Sequence, residues 1–185
     1  MTERKILIYP ESKNKLRMKS EPVESVSSGV KKIIKDLKDT IKEHEEGIGL
    51  AAPQINIHKR VVIVCLGNDQ NGDWEAGTPR ALINPQIIME ADERKDFDGC
   101  LSFPGLYGET IRPHKLRVIG LDESGHSFDE VFQGFNAVIV HHEIDHLDGI
   151  LFIDRIKSPE DLYRMHKKPS GEIVKVPIGV KINPL

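Results

Sequence analysis

The sequence has few cysteines and no long apolar segment, and both absences restrict the class of protein. Cys65 and Cys100 are its only cysteines, too few for a disulfide framework. The longest apolar run, VVIVCL at residues 61–66, is far too short to span a membrane. The first ten residues contain neither the apolar region of a signal peptide nor an Arg- and Ser-rich transit segment. We therefore expect a cytoplasmic protein with no membrane partner.

The chain also lacks an excess of positive charge. Its formal net charge is -3, whereas dedicated nucleic-acid-binding proteins are usually basic, so we expect no sequence-specific binding to nucleic acid. With 185 residues, 38% of them hydrophobic, the chain is long enough to bury a substantial core. No internal repeat divides it, and we interpret residues 1–185 as one domain.

Hydrophobic periodicity predicts a first helix and several strands. Apolar residues recur at helical spacing over residues 27–46, where Ser27 or Ser28 can cap the start and Gly47 the end. Residues 60–66 and 81–90 have the composition of strands. Residues 114–122 and 126–135 predict a hairpin that turns through Glu123, Ser124 and Gly125.

A second helix is predicted from AVIVHHEIDHLD, with Asn136 as its N-cap and Gly149 at its end. Its first turns are apolar nearly all round, so we expect it in the middle of the domain. A short third helix is predicted from Ser158 and Pro159, and residues 172–182 have an extended pattern. Strands followed by a buried helix, without βαβ alternation, indicate an α+β fold.

The segment HHEIDHLDG, residues 141–149, concentrates ionisable side chains in this buried helix. His142 and His146 are four residues apart, so both imidazoles can reach one metal ion. Glu143 adjoins the first of these histidines and is placed to hold a reacting water. The pattern therefore indicates a metal site. We interpret Asp145 and Asp148 as supporting or surface groups. His141 points elsewhere on the helix, and we interpret it as a surface or satisfied core residue outside the site.

A catalytic metal needs a third protein ligand, and spacing alone leaves more than one candidate. A metzincin protease would have histidine at position 152, and Phe152 excludes that class. A thermolysin-like peptidase would use a later glutamate, either Glu160 or Glu172. Cys100 is the other candidate, because a thiolate is an excellent ligand for divalent metals. A structural site in a non-catalytic domain is a further alternative, although such sites have four protein ligands.

Three motifs in order, GIGLAAPQ at 47–54, DGCLS at 98–102 and HEIDH at 142–146, resemble the peptide deformylase family. The segments ILIYP, LRMKSEPV, LINP and LFIDRI extend this resemblance over roughly residues 5–156. The resemblance implies a hydrolase that removes the N-formyl group from the N-terminal formylmethionine of nascent polypeptides and releases formate. It also implies antiparallel β-sheets packed around the helix that carries HEIDH.

The resemblance further implies a role for each site residue. One divalent ion, natively Fe2+ but replaceable by Zn2+, Ni2+ or Co2+, is bound by Cys100, His142 and His146. Glu143 transfers the proton of the attacking water. The Gln54 side-chain amide and the backbone N–H of Leu101 stabilise the negative charge that develops on the formyl oxygen. The peptide cleft is lined by Ile48 and Gly49, and the methionine pocket by Val138 and Ile139.

The sequence departs from the family pattern in three places. Asp98 stands where a glutamate is usual, and we expect it to form a bidentate pair with Arg112 that holds the loop of the metal ligand. Tyr107 occupies a position that is arginine in some members. Residues 157–185 do not resemble the family's C-terminal helix.

This atypical tail is basic. Residues 157–185 contain six Lys or Arg against three acids, a local charge of about +3 in a chain whose net charge is -3. Because the ribosome surface is dominated by phosphate, the tail could give weak, salt-sensitive ribosome association. Its basic residues are Lys157, Arg164, Lys167, Lys168, Lys175 and Lys181, and its acids are Glu160, Asp161 and Glu172.

Overall fold

The structure is a computed structural model that describes residues 4–70, 73–167 and 173–178. Over these ranges the helices are α1 (Lys13–Leu16), α2 (Ser28–Lys42) and α3 (Phe135–Leu147). The strands are β1 (Gly49–Ala51), β2 (Val61–Val64), β3 (Asn68–Gln70), β4 (Asp73–Glu75), β5 (Arg80–Gly99), β6 (Tyr107–Leu121), β7 (Ser127–Gln133), β8 (Leu162–Lys167) and β9 (Ile173–Pro177). Short 3-10 turns cover Ala52–Ile55, Phe152–Arg155 and Pro159–Asp161. The mixture of helices and antiparallel sheet confirms the predicted α+β class.

One antiparallel sheet contains seven of these strands in the order β1-β2-β5-β6-β8-β9, with β7 also paired to β6. The predicted strand at 81–90 is longer than expected, because β5 continues to Gly99 by pairing with the first half of β6. The predicted hairpin is present as β6 and β7, which turn beside Gly125 at a φ of +86°. β5 ends directly before Cys100, so the sheet positions that residue.

Helix α3 lies at the centre of the fold. Every residue from Ala137 to Leu147 is buried, as its apolar first turns predict, and the helix packs against β1, β2, β6 and β7. Asn136 is not its N-cap, because the helix already begins at Phe135 after Gly134, whose φ is +58°. The Asn136 side chain instead exchanges two hydrogen bonds with the Gly67 backbone, at 2.9 and 2.8 Å. That long-range contact could not be seen in local spacing.

Helix α2 covers the other side of the sheet. Ser27 caps it by accepting a hydrogen bond from the Val30 N–H at 3.4 Å, and its apolar face packs on β1 and β2. It ends at Lys42 with Glu43 as C-cap, four residues before the predicted end, so Gly47 does not terminate it.

The tail differs from the prediction at its start. In place of a third helix, one 3-10 turn is followed by β8, since Leu162 and Tyr163 pair with Gly108 and Tyr107 of β6 and become buried. This tertiary pairing outweighs the local helix-start signal. Strand β9 agrees with the extended prediction for residues 173–177, whereas residues 168–172 and 179–185 lie outside the described ranges. Across those ranges no helix has the length and apolarity needed to cross a membrane.

Candidate active site

The structure brings together the three predicted metal ligands. One donor atom from each of Cys100, His142 and His146 lies within 4.8 Å of the other two, and Cys100 Sγ is 3.3 Å from His146 Nε2. The two histidines are adjacent because they are one helical turn apart on α3. Cys100 reaches them because it follows the last residue of β5. The group could hold one metal ion.

The other candidate ligands lie elsewhere. Glu160 is exposed and its carboxylate is hydrogen-bonded to the Ser158 hydroxyl. Glu172 lies outside the described residues. Within the part of the chain that the structure describes, there is one cluster of potential metal ligands, and it consists of Cys100, His142 and His146. Glu160 is therefore not a third ligand of the thermolysin type.

The donor set fits a divalent metal ion. Burial lowers the pKa of His146 to about 3, so its imidazole is neutral, as ligation requires. His142 Nδ1 lies 2.7 Å from Asp98 Oδ1, and this hydrogen bond leaves Nε2 as the nitrogen available to a metal.

Asp98 pairs with Arg112, as predicted, but the pair is not bidentate. Arg112 Nε donates to Asp98 Oδ2 at 2.7 Å, while Arg112 Nη1 donates to Asp145 Oδ2 at 2.8 Å. One guanidinium therefore bridges two carboxylates, and its side chain is fully buried. Burial alone would raise the pKa of Asp98, but the charge of Arg112 and the hydrogen bonds with His142 and Arg112 hold it well below its usual range.

His141 and Arg155 complete this buried network, and neither was predicted to take part in the site. Burial lowers the pKa of His141 to about 4, so its neutral ring accepts a hydrogen bond at Nδ1 from Arg112 Nη1 at 2.6 Å. Arg155 donates to both oxygens of Asp145, at 3.1 and 2.7 Å. Asp145 is thus a supporting group, whereas Asp148 pairs with Arg60 near the surface. The sequence signal for this role of Asp145 was its position three residues after His142, which places both residues on the same side of the helix.

Glu143 is buried beside the ligand group with one oxygen unused. Its Oε2 has no hydrogen-bond partner among the described residues, and burial raises its pKa to about 7. Gly49 faces it closely, since a Cβ at position 49 would overlap Glu143 Oε1. A carboxylate with a pKa near neutrality is suited to accept and return a proton.

Gln54 is fixed with its amide nitrogen toward the cysteine. Its Oε1 accepts from the Ala51 N–H at 2.8 Å, and its Nε2 donates to Ser102 Oγ at 3.2 Å and to Cys100 Sγ at 3.4 Å. The side chain is almost fully buried. The anchoring role of Ser102 was not predicted, although Ser102 belongs to the DGCLS motif.

A cleft of about 880 Å³ opens onto this group. The residues predicted to contact the peptide all line it, namely Ile48, Gly49, Val138 and Ile139. Leu101, next to the cysteine, lines it as well. Tyr107 lies at the rim and donates a hydrogen bond to Glu46 at 3.1 Å. The size and apolar walls of the cleft suit an extended peptide.

Water attack at a carbonyl, assisted by a metal ion and a carboxylate, is the chemistry of metal-dependent hydrolases, and this fold and site define that class. The family model for polypeptide deformylase matches residues 3–161. Over 154 residues the chain is 40% identical to a peptide deformylase of Azotobacter vinelandii, covering 83% of this chain and 86% of the relative. It is also 40% identical over 141 residues to peptide deformylase 2 of Clostridium acetobutylicum, covering 76% and 88%.

Solved structures agree with this. A peptide deformylase of Ehrlichia chaffeensis in complex with actinonin superposes with a TM-score of 0.76 at 33% identity, covering 85% of this chain and 91% of that one. A Met-Ala-Ser-bound peptide deformylase of Acinetobacter baumannii superposes with a TM-score of 0.75 at 34% identity, covering 84% and 100%. The chain belongs to the peptide deformylase family, and it is a hydrolase that removes the N-formyl group from nascent peptides.

Proposed function

We propose that the residues of this cleft carry out the deformylation, with the roles that the resemblance implies. The observation that carries the proposal is the meeting of Cys100, His142 and His146 beside a buried carboxylate that has an unused oxygen. On this proposal residues 1–185 form one catalytic domain with an atypical tail over residues 157–185.

Cys100, His142 and His146 would hold a divalent ion, which supplies Lewis acidity that polarises the formyl oxygen and activates water. We propose Fe2+ as the native metal on the family resemblance. Thiolate and imidazole donors also suit Zn2+, Ni2+ and Co2+. Gln54 Nε2 donates a hydrogen bond to Cys100 Sγ at 3.4 Å, which helps to orient the sulfur.

The edge of the sheet offers a template for the substrate. Among the described strands, β1 is the edge strand at one end of the sheet. Gly49 of β1 and the preceding Ile48 line the cleft. An extended peptide can add to such an edge through main-chain hydrogen bonds, and glycine permits close approach. Val138 and Ile139 then face the methionine side chain. The Met-Ala-Ser tripeptide bound by the Acinetobacter baumannii relative supports a peptide of this length.

Glu143 is the proton-transfer group. It accepts a proton from water as the oxygen attacks the formyl carbon, and it returns that proton to the amine nitrogen as the carbon–nitrogen bond breaks. The products are formate and a free amino terminus. Negative charge that develops on the formyl oxygen is stabilised by the Gln54 amide and the Leu101 N–H, and one such donor typically contributes about 3 kcal/mol.

The test is Glu143→Ala, with Asp148→Ala at the surface end of α3 as the matched control. If Glu143 moves the proton, its variant keeps the bound metal but loses at least about 100-fold in formate release. Asp148→Ala should retain both metal and activity. Loss of metal from Glu143→Ala would show that the glutamate is a ligand and that the assigned role is wrong.

We also propose a cytoplasmic location and weak ribosome association through the basic tail. Lys157 and Arg164 are exposed, which supports the second idea, but Lys175 is already paired with Glu109 at 2.6 Å. Lys168 and Lys181 lie outside the described residues. Reversing Lys167 and Lys168 to Glu should weaken co-sedimentation with ribosomes at low salt, and unaffected co-sedimentation would refute the proposal.

A further inference from the structure

The tail forms a wall of the cleft that the sequence did not predict. Strands β8 and β9 pair as a hairpin at the far edge of the sheet. Met165 of β8 and Ile173 of β9 both line the cleft, together with Phe97 and Tyr107. These four residues are called here the apolar platform.

Strand register places the platform on one continuous face. Gly99 is opposite Tyr107, and Tyr107 is opposite Tyr163. Side chains of directly opposed residues share a face, and so do residues two apart along a strand. Phe97 is therefore on the face of Tyr107, and Met165 is on the face of Tyr163. The Phe97 and Tyr107 rings stack with centroids 5.6 Å apart.

The β9 side of the platform follows the same rule. Met165 is opposite Lys175, and Ile173 is two residues from Lys175, so both apolar side chains have the same orientation. Val176 is opposite Arg164 and points to the other face of the hairpin. The hairpin therefore presents a different apolar side chain on each face, and Met165 and Ile173 are on the face that borders the cleft.

The platform is exposed, and the lysine beside it is paired. Phe97, Met165 and Ile173 are 41%, 40% and 64% exposed, which is unusual for large apolar side chains on one face of a sheet. The neighbouring Lys175 is paired with Glu109 and lies over the Tyr163 ring at 4.6 Å. A ligand on this surface would meet apolar groups and a paired lysine, with the Glu46 carboxylate at its border, where it accepts the Tyr107 hydroxyl hydrogen bond.

We infer that the apolar platform is a specificity subsite for an apolar side chain at the third or fourth residue of the formylated peptide. The inference rests on the proposed function, because the occupant is the part of the substrate that leaves the methionine pocket. Continuity carries the argument: the platform and the reacting group border one cleft, and the substrate chain must run outward along it. Met165 and Ile173 are thus specificity-determining residues of the tail.

The test compares rates of formate release from three peptides: formyl-Met-Ala-Ser-Ser, formyl-Met-Ala-Phe-Ser and formyl-Met-Ala-Ser-Phe. We expect the unmodified protein to have a kcat/KM at least about fivefold higher for one phenylalanine peptide than for the serine peptide, a discrimination that an apolar subsite can give. The preference should appear mainly in KM. In the double variant Met165→Ser/Ile173→Ser the ratio should fall toward one.

Val176→Ser is the matched control, since Val176 is 46% exposed on the opposite face of the same hairpin, and it should keep the ratio. Both rates come from one preparation, so any unfolded fraction cancels. Equal rates in the unmodified protein, or a ratio that survives the double variant, would overturn the subsite while leaving deformylation intact. A platform that instead mediates self-association, seen as a dimer that the double variant dissociates with no peptide preference, would also overturn it. No formate from any peptide would refute the proposed function itself.

Discussion

Replacing Arg112 with alanine should disrupt the network behind the metal ligands. The guanidinium is fully buried and bridges Asp98 and Asp145, whose side chains are 4% and 7% exposed. Without it both carboxylates remain buried with fewer partners, since Asp98 keeps His142 and Asp145 keeps Arg155. Removing one partner of a buried ion pair typically costs about 3–5 kcal/mol, and we expect a loss of that size in the free energy of unfolding.

Arg117→Ala is the matched control because Arg117 lies on the same strand and pairs with Asp129 in an exposed position. Such surface pairs contribute about 0–1 kcal/mol. Urea denaturation at pH 7 measures both variants, and metal content after dialysis against a chelator measures retention. If Arg112 paired with Asp98 alone, Asp98→Ala would lower the free energy of unfolding as much as Arg112→Ala does. Because Arg112 also bonds to Asp145, we expect Arg112→Ala to be the more destabilising change.

The pH dependence provides a second criterion. The pKa of Asp98 is held low in the folded protein, so its ionised form contributes stability above the unfolded pKa of about 4, and this contribution is lost as the pH falls through the folded value. The deficit of Arg112→Ala should therefore shrink in acid. If Arg112→Ala costs no more than Arg117→Ala at pH 7, the buried bridge does not hold the site together.

Two further predictions concern other parts of the chain. Gly49→Ala should abolish most formate release, because the added methyl group overlaps the Glu143 carboxylate. The control is Gly29→Ala in helix α2, where only Ser27 is near the added methyl group. This control should stabilise the protein by about 0.4–1 kcal/mol and keep its activity. Near-normal activity of Gly49→Ala would contradict the observed packing. Asp36→Asn should destabilise the protein at pH 7, because hydrogen bonds from Arg4 and Lys32 outweigh burial and lower the pKa of Asp36. The difference from the unmodified protein in thermal melts should vanish below the folded pKa, and a constant difference would rule out the charge pair.

The candidate site was predictable where short spacing determines geometry. The four-residue separation of His142 and His146 fixes them on one face of a helix, and the apolar first turns of that helix predict its burial. Cys100 was one of several possible third ligands from its residue type alone, and the motif order selected it. Its approach to His146 depends on how β5 ends, which is a tertiary feature.

What could not be predicted depends on strand pairing. The bridge from Arg112 to Asp145 requires that β6 lie beside α3, and no local pattern specifies that contact. The Asn136 side chain bonds to Gly67, which is 69 residues away, and local capping rules cannot find such a partner. Likewise Leu162 and Tyr163 form a strand because β6 offers an edge, so a local helix signal at Ser158 was misleading.

Metal-dependent formate release tests the central claim most directly. Protein purified without oxygen and loaded with Fe2+ or Ni2+ should release formate from formyl-Met-Ala-Ser, lose this activity on chelation, and regain it when either ion returns. Cys100→Ala should bind little metal and have little activity, since the thiolate is one of three proposed ligands. Absence of turnover with either ion loaded, or full activity and metal binding in Cys100→Ala, would contradict the account.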